Sequence, residues 1–436
     1  MKKNLFIRFF AVSFVLLVSS YLSANSAKKD SLESNIKHLR LKCLDEPYNI
    51  LLLSELANSL TLRGYFDEAI DLNKKILMLD PNHANAAYNL AFTLKRKGNF
   101  QRSINAFKSL INQHPNHKNA QFALGTTLLY KGDFQEGWRQ HDIFLRSTKR
   151  YSPHLKEWIR EKNLTGKRIL IRHEGGLGDS LQFIRYAQEL KKLGATTIVA
   201  CPYPLLKLYE RCNGIDILVE SNNYDNLKKL AINAQTTVMT LPALFDATED
   251  TIPQTIPYIF PDRELSTFWK SILEKDKQFK IGICWKTAYN NPPNVDISSR
   301  SIPFDIIAQL ATAPGVSLYS LQKDSRAKDY KKTPLSSRII FFDNDFDETN
   351  GRFMDTAAVI KHLDLIISAD TSIVHLAGAQ GKPVWLMLNY SPADWRWIYG
   401  RTDSPWYPSL RIFQQTKPFD WNSVINEIIN SLKKIK

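Results

Sequence analysis

Asp370-Thr-Ser-Ile-Val-His-Leu-Ala-Gly378 follows the apolar run Leu363-Asp-Leu-Ile-Ile-Ser-Ala369 and precedes Lys382-Pro-Val-Trp-Leu-Met-Leu388. A β-branched apolar run, then an acid and two hydroxyls, then an alanine-rich segment ending in Gly, reads as strand, tight turn and helix N-terminus. The unpaired N–H groups and positive dipole end of a first helical turn suit a diphosphate, and open α/β sheets hold ligands at the carboxyl ends of their strands. Thr371 and Ser372 add hydroxyl donors, and His375 projects one turn further on. A plainer reading makes Asp370 an N-cap and His375 a helix-surface residue. Both stay open on this stretch alone.

The surrounding chain has 436 residues, enough for two or three domains with their own cores. Its 58 Lys+Arg against 43 Asp+Glu give a net charge of +15, which favours anionic partners. No zinc-finger spacing or long basic run accompanies that charge, so nucleic acid is not expected as a partner. Cys43, Cys201, Cys212 and Cys284 form no Cys-x-x-Cys pair and read as dispersed core thiols, with neither a disulfide framework nor a cysteine metal site. At the start, Lys2, Lys3 and Arg8 flank Phe9-Phe-Ala-Val-Ser-Phe-Val-Leu-Leu-Val18, and small polar residues follow to Ala27. Residues 1–27 therefore read as an export signal or a short anchor. A cleaved signal places the protein in the periplasm. An anchor associates it with the membrane through residues 1–24, on the cytoplasmic side.

Residues 28–149 read as a helical repeat array. Pro47, Pro81 and Pro115 stand 34 residues apart, and the same period holds for Leu56, Leu90 and Leu124, for Leu60, Leu94 and Leu128, for Gly64, Gly98 and Gly132, and for Phe66, Phe100 and Phe134. That is the tetratricopeptide period, a helix pair per repeat with Gly at the turn between them, and about three copies are present. The third degrades after Gly132-Asp-Phe-Gln-Glu-Gly-Trp138, as a capping repeat docked on something else would. Such an array either presents a surface to a protein partner or extends and stabilises the domains C-terminal to it.

Beyond a polar linker the pattern changes to alternating strands and helices. Residues 150–260 hold strands at Arg168-Ile-Leu-Ile-Arg172, Thr196–Cys201, Ile215–Glu220 and Thr237–Leu241, and one helix from Ser180 to Leu193. Gly175, Gly176 and Gly178 in Glu174-Gly-Gly-Leu-Gly-Asp179 allow close backbone approach, with Asp179 at the helix start. There Asp179 is either an N-cap or a base. After a junction at Pro253–Lys280, residues 261–436 carry strands from Ile281-Gly-Ile-Cys-Trp285 to Val384–Leu388 and helices at about Phe304–Thr312, Asp355–Leu363, Ser372–Gln380 and Asn422–Lys434. Two α/β halves imply a cleft and a ligand between them.

Lys286, Thr287 and Arg300 follow strand ends on the cleft side, where cations could neutralise a diphosphate leaving group. Gln322 and Lys323 sit likewise. Asp343-Asn-Asp-Phe-Asp347 resembles a calcium loop until Glu348 and Met354 stand where Gly and Glu are needed, so it reads as an acidic surface loop. No zinc-protease, serine-hydrolase or P-loop motif occurs, and no metal is expected. Trp395-Arg-Trp397 and Trp406-Tyr-Pro408, with polar neighbours, suggest a rim on which a sugar or base stacks.

Taken together, His173-Glu-Gly-Gly-Leu-Gly-Asp-Ser-Leu-Gln-Phe183, Arg300-Ser-Ile-Pro303, Ser320-Leu-Gln-Lys323, Asp355-Thr-Ala-Ala-Val-Ile360, Ser368-Ala-Asp-Thr-Ser-Ile-Val-His-Leu-Ala-Gly378 and Asp403-Ser-Pro-Trp-Tyr-Pro408 resemble the tetratricopeptide-containing bacterial glycosyltransferases related to heptosyltransferase family nine. The likeness runs from about Pro47 to the C-terminus. It implies helical repeats followed by an α/β GT-B fold, two Rossmann-like domains facing a cleft, with the acceptor on the N-terminal half and a nucleotide-diphosphate sugar on the C-terminal half. It implies inverting, metal-independent transfer to a glycan, lipid or protein acceptor, without a cofactor. By position, Asp179 matches the proposed general base, and Asp370, Thr371, Ser372 and His375 match donor contacts. Lys286, Thr287 and Arg300 match more loosely the region that meets the phosphates. Two other readings stand beside it: a repeat scaffold with a non-catalytic transferase-like half, and a nucleotide-sugar epimerase of the same architecture.

Overall fold

The computed structural model describes residues 25–147, 154–287, 299–323, 334–391 and 394–435. The leader falls outside them up to residue 24, and the chain is already helical at Asn25, so position 27 is not an element boundary. Among the described residues no helix is long and apolar enough to cross a membrane.

Among the described residues seven helices come first: α1 (Asn25–Asp45), then the pairs α2 (Ile50–Arg63) and α3 (Phe66–Leu79), α4 (Ala84–Arg96) and α5 (Phe100–Gln113), and α6 (Lys118–Lys131) and α7 (Phe134–Ser147). Gly64, Gly98 and Gly132 turn each pair at φ of 91°, 87° and 89°, a left-handed conformation costly for any residue with a Cβ. The repeat has one more column. Asn49, His83 and His117 open the first helix of each pair, and their side chains accept the N–H groups of Leu51, Ala86 and Ala120, each at 3.1 Å. Phe66, Phe100 and Phe134 begin the second helices and are buried with Leu56, Leu60, Leu94, Leu124 and Leu128.

Two parallel sheets follow. The first comprises β1 (Arg168–Arg172), β2 (Thr196–Cys201), β3 (Ile217–Glu220) and β4 (Ala234–Thr237), in the order β3-β2-β1-β4. The expected strand Thr237–Leu241 is misplaced. The strand ends at Thr237, and Leu241–Leu244 is a helical turn with Pro242 in its first positions, where the fixed φ and missing N–H of proline cost nothing. The single helix expected from Ser180 to Leu193 is two, α8 (Leu177–Phe183) and α9 (Tyr186–Lys192). Between them the buried Arg185 turns its Nε onto the Gln182 carbonyl at 2.9 Å, an acceptor that a continuing helix would use.

The junction drawn at 253–280 contains a helix, α10 (Arg263–Leu273), capped by Asp262, whose Oδ1 accepts the Leu265 N–H at 2.9 Å. Its polar composition hides an apolar face at Leu265, Trp269, Ile272 and Leu273. Trp269 donates to Asp355 Oδ1 at 2.8 Å, docking α10 on α11 (Met354–His362). The second sheet has β5 (Phe279–Cys284), β6 (Val316–Ser320), β7 (Ile339–Phe341), β8 (Leu365–Ala369), β9 (Val384–Leu388) and β10 (Leu410–Gln414), ordered β10-β9-β8-β5-β6-β7. The sequence reading lacks β10, which pairs in register with β9 from Leu410 opposite Val384. The expected helix Phe304–Thr312 is one α-helical turn, Phe304–Ile307, followed by a 3-10 turn, Ala308–Thr312. Two further helices, α12 (Ser372–Ala379) and α13 (Trp421–Ile435), match the sequence reading to within a residue or two.

Both sheets share one winding scheme: an early strand sits centrally and its later partners fill first one side, then the other. The strand order therefore reverses between β1 and β4 and between β5 and β8, and such switch points open a crevice at the carboxyl ends.

The tryptophan cluster is not a rim. Trp395, Trp397, Trp406 and Tyr407 are all buried, and Trp395 stands where the three parts of the molecule meet. Its ring stacks on Phe183 of α8 at 6.0 Å and 8°, meets Trp138 of α7 edge-on at 5.0 Å and meets Trp406 at 6.2 Å. Trp138 also donates to the Ala247 carbonyl at 2.6 Å, which is the docking expected of a capping repeat. Of the polar neighbours that suggested solvent, Arg396 and Asp394 pair inside, Arg396 being 3% exposed and bonding Asp394 at 2.6 Å, whereas Arg401 pairs with the exposed Asp403 at 2.8 Å. Asp347, read as part of an acidic surface loop, is also buried. It accepts the Thr356 N–H at 3.0 Å and the Thr356 hydroxyl at 2.5 Å, while its own N–H goes to Asp355 at 2.8 Å, so it anchors the start of α11.

Candidate active site

Each corner singled out in the sequence lies just past a switch-point strand. Glu174–Asp179 follows β1, Lys286 and Thr287 follow β5, and Asp370–Ser372 follows β8. The first corner is held from within. His173 Nδ1 meets Ser180 Oγ at 2.5 Å, and buried Glu174 accepts the Thr237 hydroxyl at 2.5 Å. Gly175 has φ +79° and Gly176 is the N-cap of α8. Asp179 is not the N-cap. It lies three residues on, and its Oδ2 reaches back to the Gly176 N–H at 2.5 Å.

At the second corner Thr371 caps α12, its hydroxyl accepting the Ile373 N–H at 3.3 Å. Asp370 is therefore released from capping. It is buried and pairs with Arg300 at 3.1 Å. Burial and the nearby Asp394 charge push its carboxyl above the usual range, with Arg300 offsetting part of the effect. Burial also opposes ionisation of Asp394, but Arg396 outweighs it and holds that carboxyl low.

His375 is no surface residue either. It is 5% exposed, stacks on Trp397 at 5.6 Å and 16°, and shares a hydrogen bond with Tyr407 through Nδ1 at 3.1 Å. Its ring also reaches the opposite corner. A Cβ placed on Gly178 would lie 2.9 Å from His375 Cδ2 and 3.5 Å from the Ser372 Cα, so α8 and α12 touch where only glycine fits.

Burial, reinforced by the Arg396 charge, pushes His375 down to about 3. From pH 6.5 down to about 3 the unfolded chain therefore binds a proton that the fold refuses, so the stability contributed by this group is present above pH 6.5 and lost on acidification. The loss amounts to about 2–3 kcal/mol by pH 4.5. Denaturant midpoints at pH 7 and 4.5 check this, because His375→Phe should lose markedly less between the two than the parent. Equal losses would remove His375 as their source.

Lys286 and Thr287 stay at the mouth of the corner. Gln322 Oε1 fixes the backbone there, accepting the Lys286 N–H at 2.8 Å and the Trp285 N–H at 3.2 Å, and Thr287 N–H donates to Ser301 Oγ at 3.2 Å. Lys323 is drawn away into an ion pair with Glu348 at 2.6 Å. No cluster of metal-binding side chains occurs among the described residues.

Residues 60–126 match the tetratricopeptide-repeat family. Protein FlbA of Caulobacter vibrioides is 24% identical over 327 residues, 68% of this chain and 52% of FlbA, so the chain spans about half the length of that curated relative. Two solved structures are similar at a TM-score of 0.45: the glycosyl transferase family 9 of Veillonella parvula, at 14% identity over 63% of this chain and 91% of that one, and the Escherichia coli ADP-heptose lps heptosyltransferase II, at 13% over 62% and 99%.

The tetratricopeptide array itself reaches towards the site, which the sequence reading did not anticipate. Lys95 of α4 donates to Thr126 of α6 at 3.0 Å, and burial pushes its ammonium down to about 8 against the opposing pull of Asp394. Tyr399 packs edge-on against Phe100 at 4.7 Å and donates its N–H to the Tyr130 carbonyl at 2.8 Å. Arg396, Asp394 and Gln182 were missed as well. The available signal was the arginine enclosed by tryptophans in Trp395-Arg-Trp397, since a buried guanidinium requires acidic partners.

Proposed function

We propose that the chain is a glycosyltransferase moving a sugar from a nucleoside-diphosphate sugar to a glycan, lipid or protein acceptor in one inverting step, without metal or cofactor. The observation that carries this reading is the meeting of the two switch-point corners, with the Gly178 backbone against His375 and Asp179 facing the Arg396–Asp394 pair. An in-line displacement needs a base beside the acceptor and a cationic, N–H-rich cradle for the departing diphosphate on the other side. Asp179 takes the proton of the acceptor hydroxyl as its oxygen bonds to the anomeric carbon. The bond to the diphosphate breaks, and its electron pair leaves on the phosphate oxygen. Arg300, Lys286, Thr287, Thr371, Ser372 and the first turn of α12 hold that diphosphate. His375 is neutral and packs the corner. A protein partner is assigned to the tetratricopeptide array. Because nucleotide sugars are made in the cytoplasm, this reading fits a leader that anchors the chain on that side.

Calorimetry with UDP-glucose, UDP-N-acetylglucosamine, GDP-mannose and ADP-heptose tests it. At least one should bind, and Arg300→Ala should weaken that binding about tenfold or more, because a charge-assisted contact is worth about 1.5–3 kcal/mol. Silence from every nucleotide sugar, together with capture of a protein through the repeats, would favour a scaffold. Interconversion of the donor with no acceptor present would favour an epimerase.

A further inference from the structure

Arg396 is enclosed on every side. One Nη pairs with Asp179 Oδ1 and the other with Asp394 Oδ2 at 2.6 Å, and Nε donates to Gln182 Oε1 at 2.5 Å. The guanidinium carbon lies 5.0 Å from the Phe183 ring centre and 4.6 Å from that of Trp395. The group is thus locked by packing, by an anion of its own half and by α8 of the other half.

We propose that Arg396 is the positioning residue for the base, holding the Asp179 carboxylate in its working orientation from the C-terminal half. The inference rests on the reading of Asp179 as that base. Oδ2 is held by the Gly176 N–H and Oδ1 by Arg396, so the side chain cannot turn about its two torsions. An ionised carboxylate offers about four acceptor sites, which leaves room for an acceptor hydroxyl after both contacts are made. The planar five-donor fork of arginine can meet Asp179, Asp394 and Gln182 at once, and the ammonium of lysine cannot. Asp394 and Gln182 then act as struts that keep the fork aimed.

The test is a mutant cycle in the full-length chain. It reads release of nucleoside diphosphate, with water as the attacking hydroxyl and the free sugar as the other product, from whichever of the four nucleotide sugars above turns over fastest. Asp179→Asn and Arg396→Gln should each lower kcat by about 10²-fold or more, with KM for the nucleotide sugar within about threefold of the parent. The double variant should be no slower than Asp179→Asn alone, because residues that act as one unit are not additive. Arg396→Lys keeps the buried positive charge and covers the case in which Arg396→Gln does not fold. It should lose kcat without gaining KM, and the loss should vanish in the Asp179→Asn background. Additive losses, or a loss confined to KM, would overturn the positioning role and leave Asp179 as base. Unchanged turnover in Asp179→Asn would instead remove the base, and this proposal with it.

Discussion

Asp179→Asn is expected to end sugar transfer while the nucleotide sugar still binds with its parental affinity. The amide keeps the size of the carboxylate and still offers an oxygen to the Gly176 N–H, so the start of α8 stays closed. Arg396 keeps Asp394 and Gln182 and is not left as an unpaired buried charge. The loss is the ability to accept a proton at the moment the acceptor oxygen attacks. A positioned general base is worth about 10²–10⁴ in rate, so transfer should fall by that factor. Donor affinity resides at the other corner, around Arg300 and the first turn of α12, and should not move. Turnover by mass spectrometry beside calorimetry on the same preparation separates the two quantities. Retained turnover removes Asp179 as the base, and lost donor binding would place it in the donor pocket instead.

The second large effect concerns the joint. Trp395→Ala should cost about 3–5 kcal/mol, the range for deleting a buried large aromatic side chain. It vacates a space bounded by Phe183, Trp138 and Trp406, rings drawn from all three parts of the molecule. It also strips one face from Arg396. Scanning calorimetry should show the repeats and the sheets melting as separate transitions, displaced below the parental one. Tyr203→Ala, at a position 74% exposed, supplies the matching control and should leave the trace unchanged. A Trp395→Ala trace equal to that of the control would mean the parts are not held together through this residue.

Sequence disclosed those features whose cause is local. The repeats were legible because equivalent residues solve the same problem every 34 positions: glycine at the left-handed turn, phenylalanine at the next helix start. Most strands were legible because parallel strands covered on both faces read as unbroken apolar runs, as Leu365–Ala369 and Val384–Leu388 do. The corners were legible as strand-to-helix turns because glycines and an acid after a strand mark a helix start, a pattern that serves an N-cap as well as a base. What escaped depends on partners remote in the chain. Arg396 finds Asp179 217 residues away, so nothing near Trp395-Arg-Trp397 distinguishes a wet rim from a sealed joint. The split between α8 and α9 depends on Arg185, whose guanidinium reaches the Trp406 carbonyl at 2.7 Å. For Asp370 and His375 the sequence left a plainer reading open, an N-cap and a helix-surface residue, which the structure closes: the cap belongs to Thr371, one position on, and His375 is buried.

The indole of Trp138 delivering its N–H to Ala247 means that this gene cannot be trimmed at its apparent seam. A product beginning at β1 would carry greasy, unmatched patches where Phe134 and Trp138 had lain. In a cell such a fragment would be food for chaperones and proteases. The repeats and the two sheet domains are therefore expected to be stable only together.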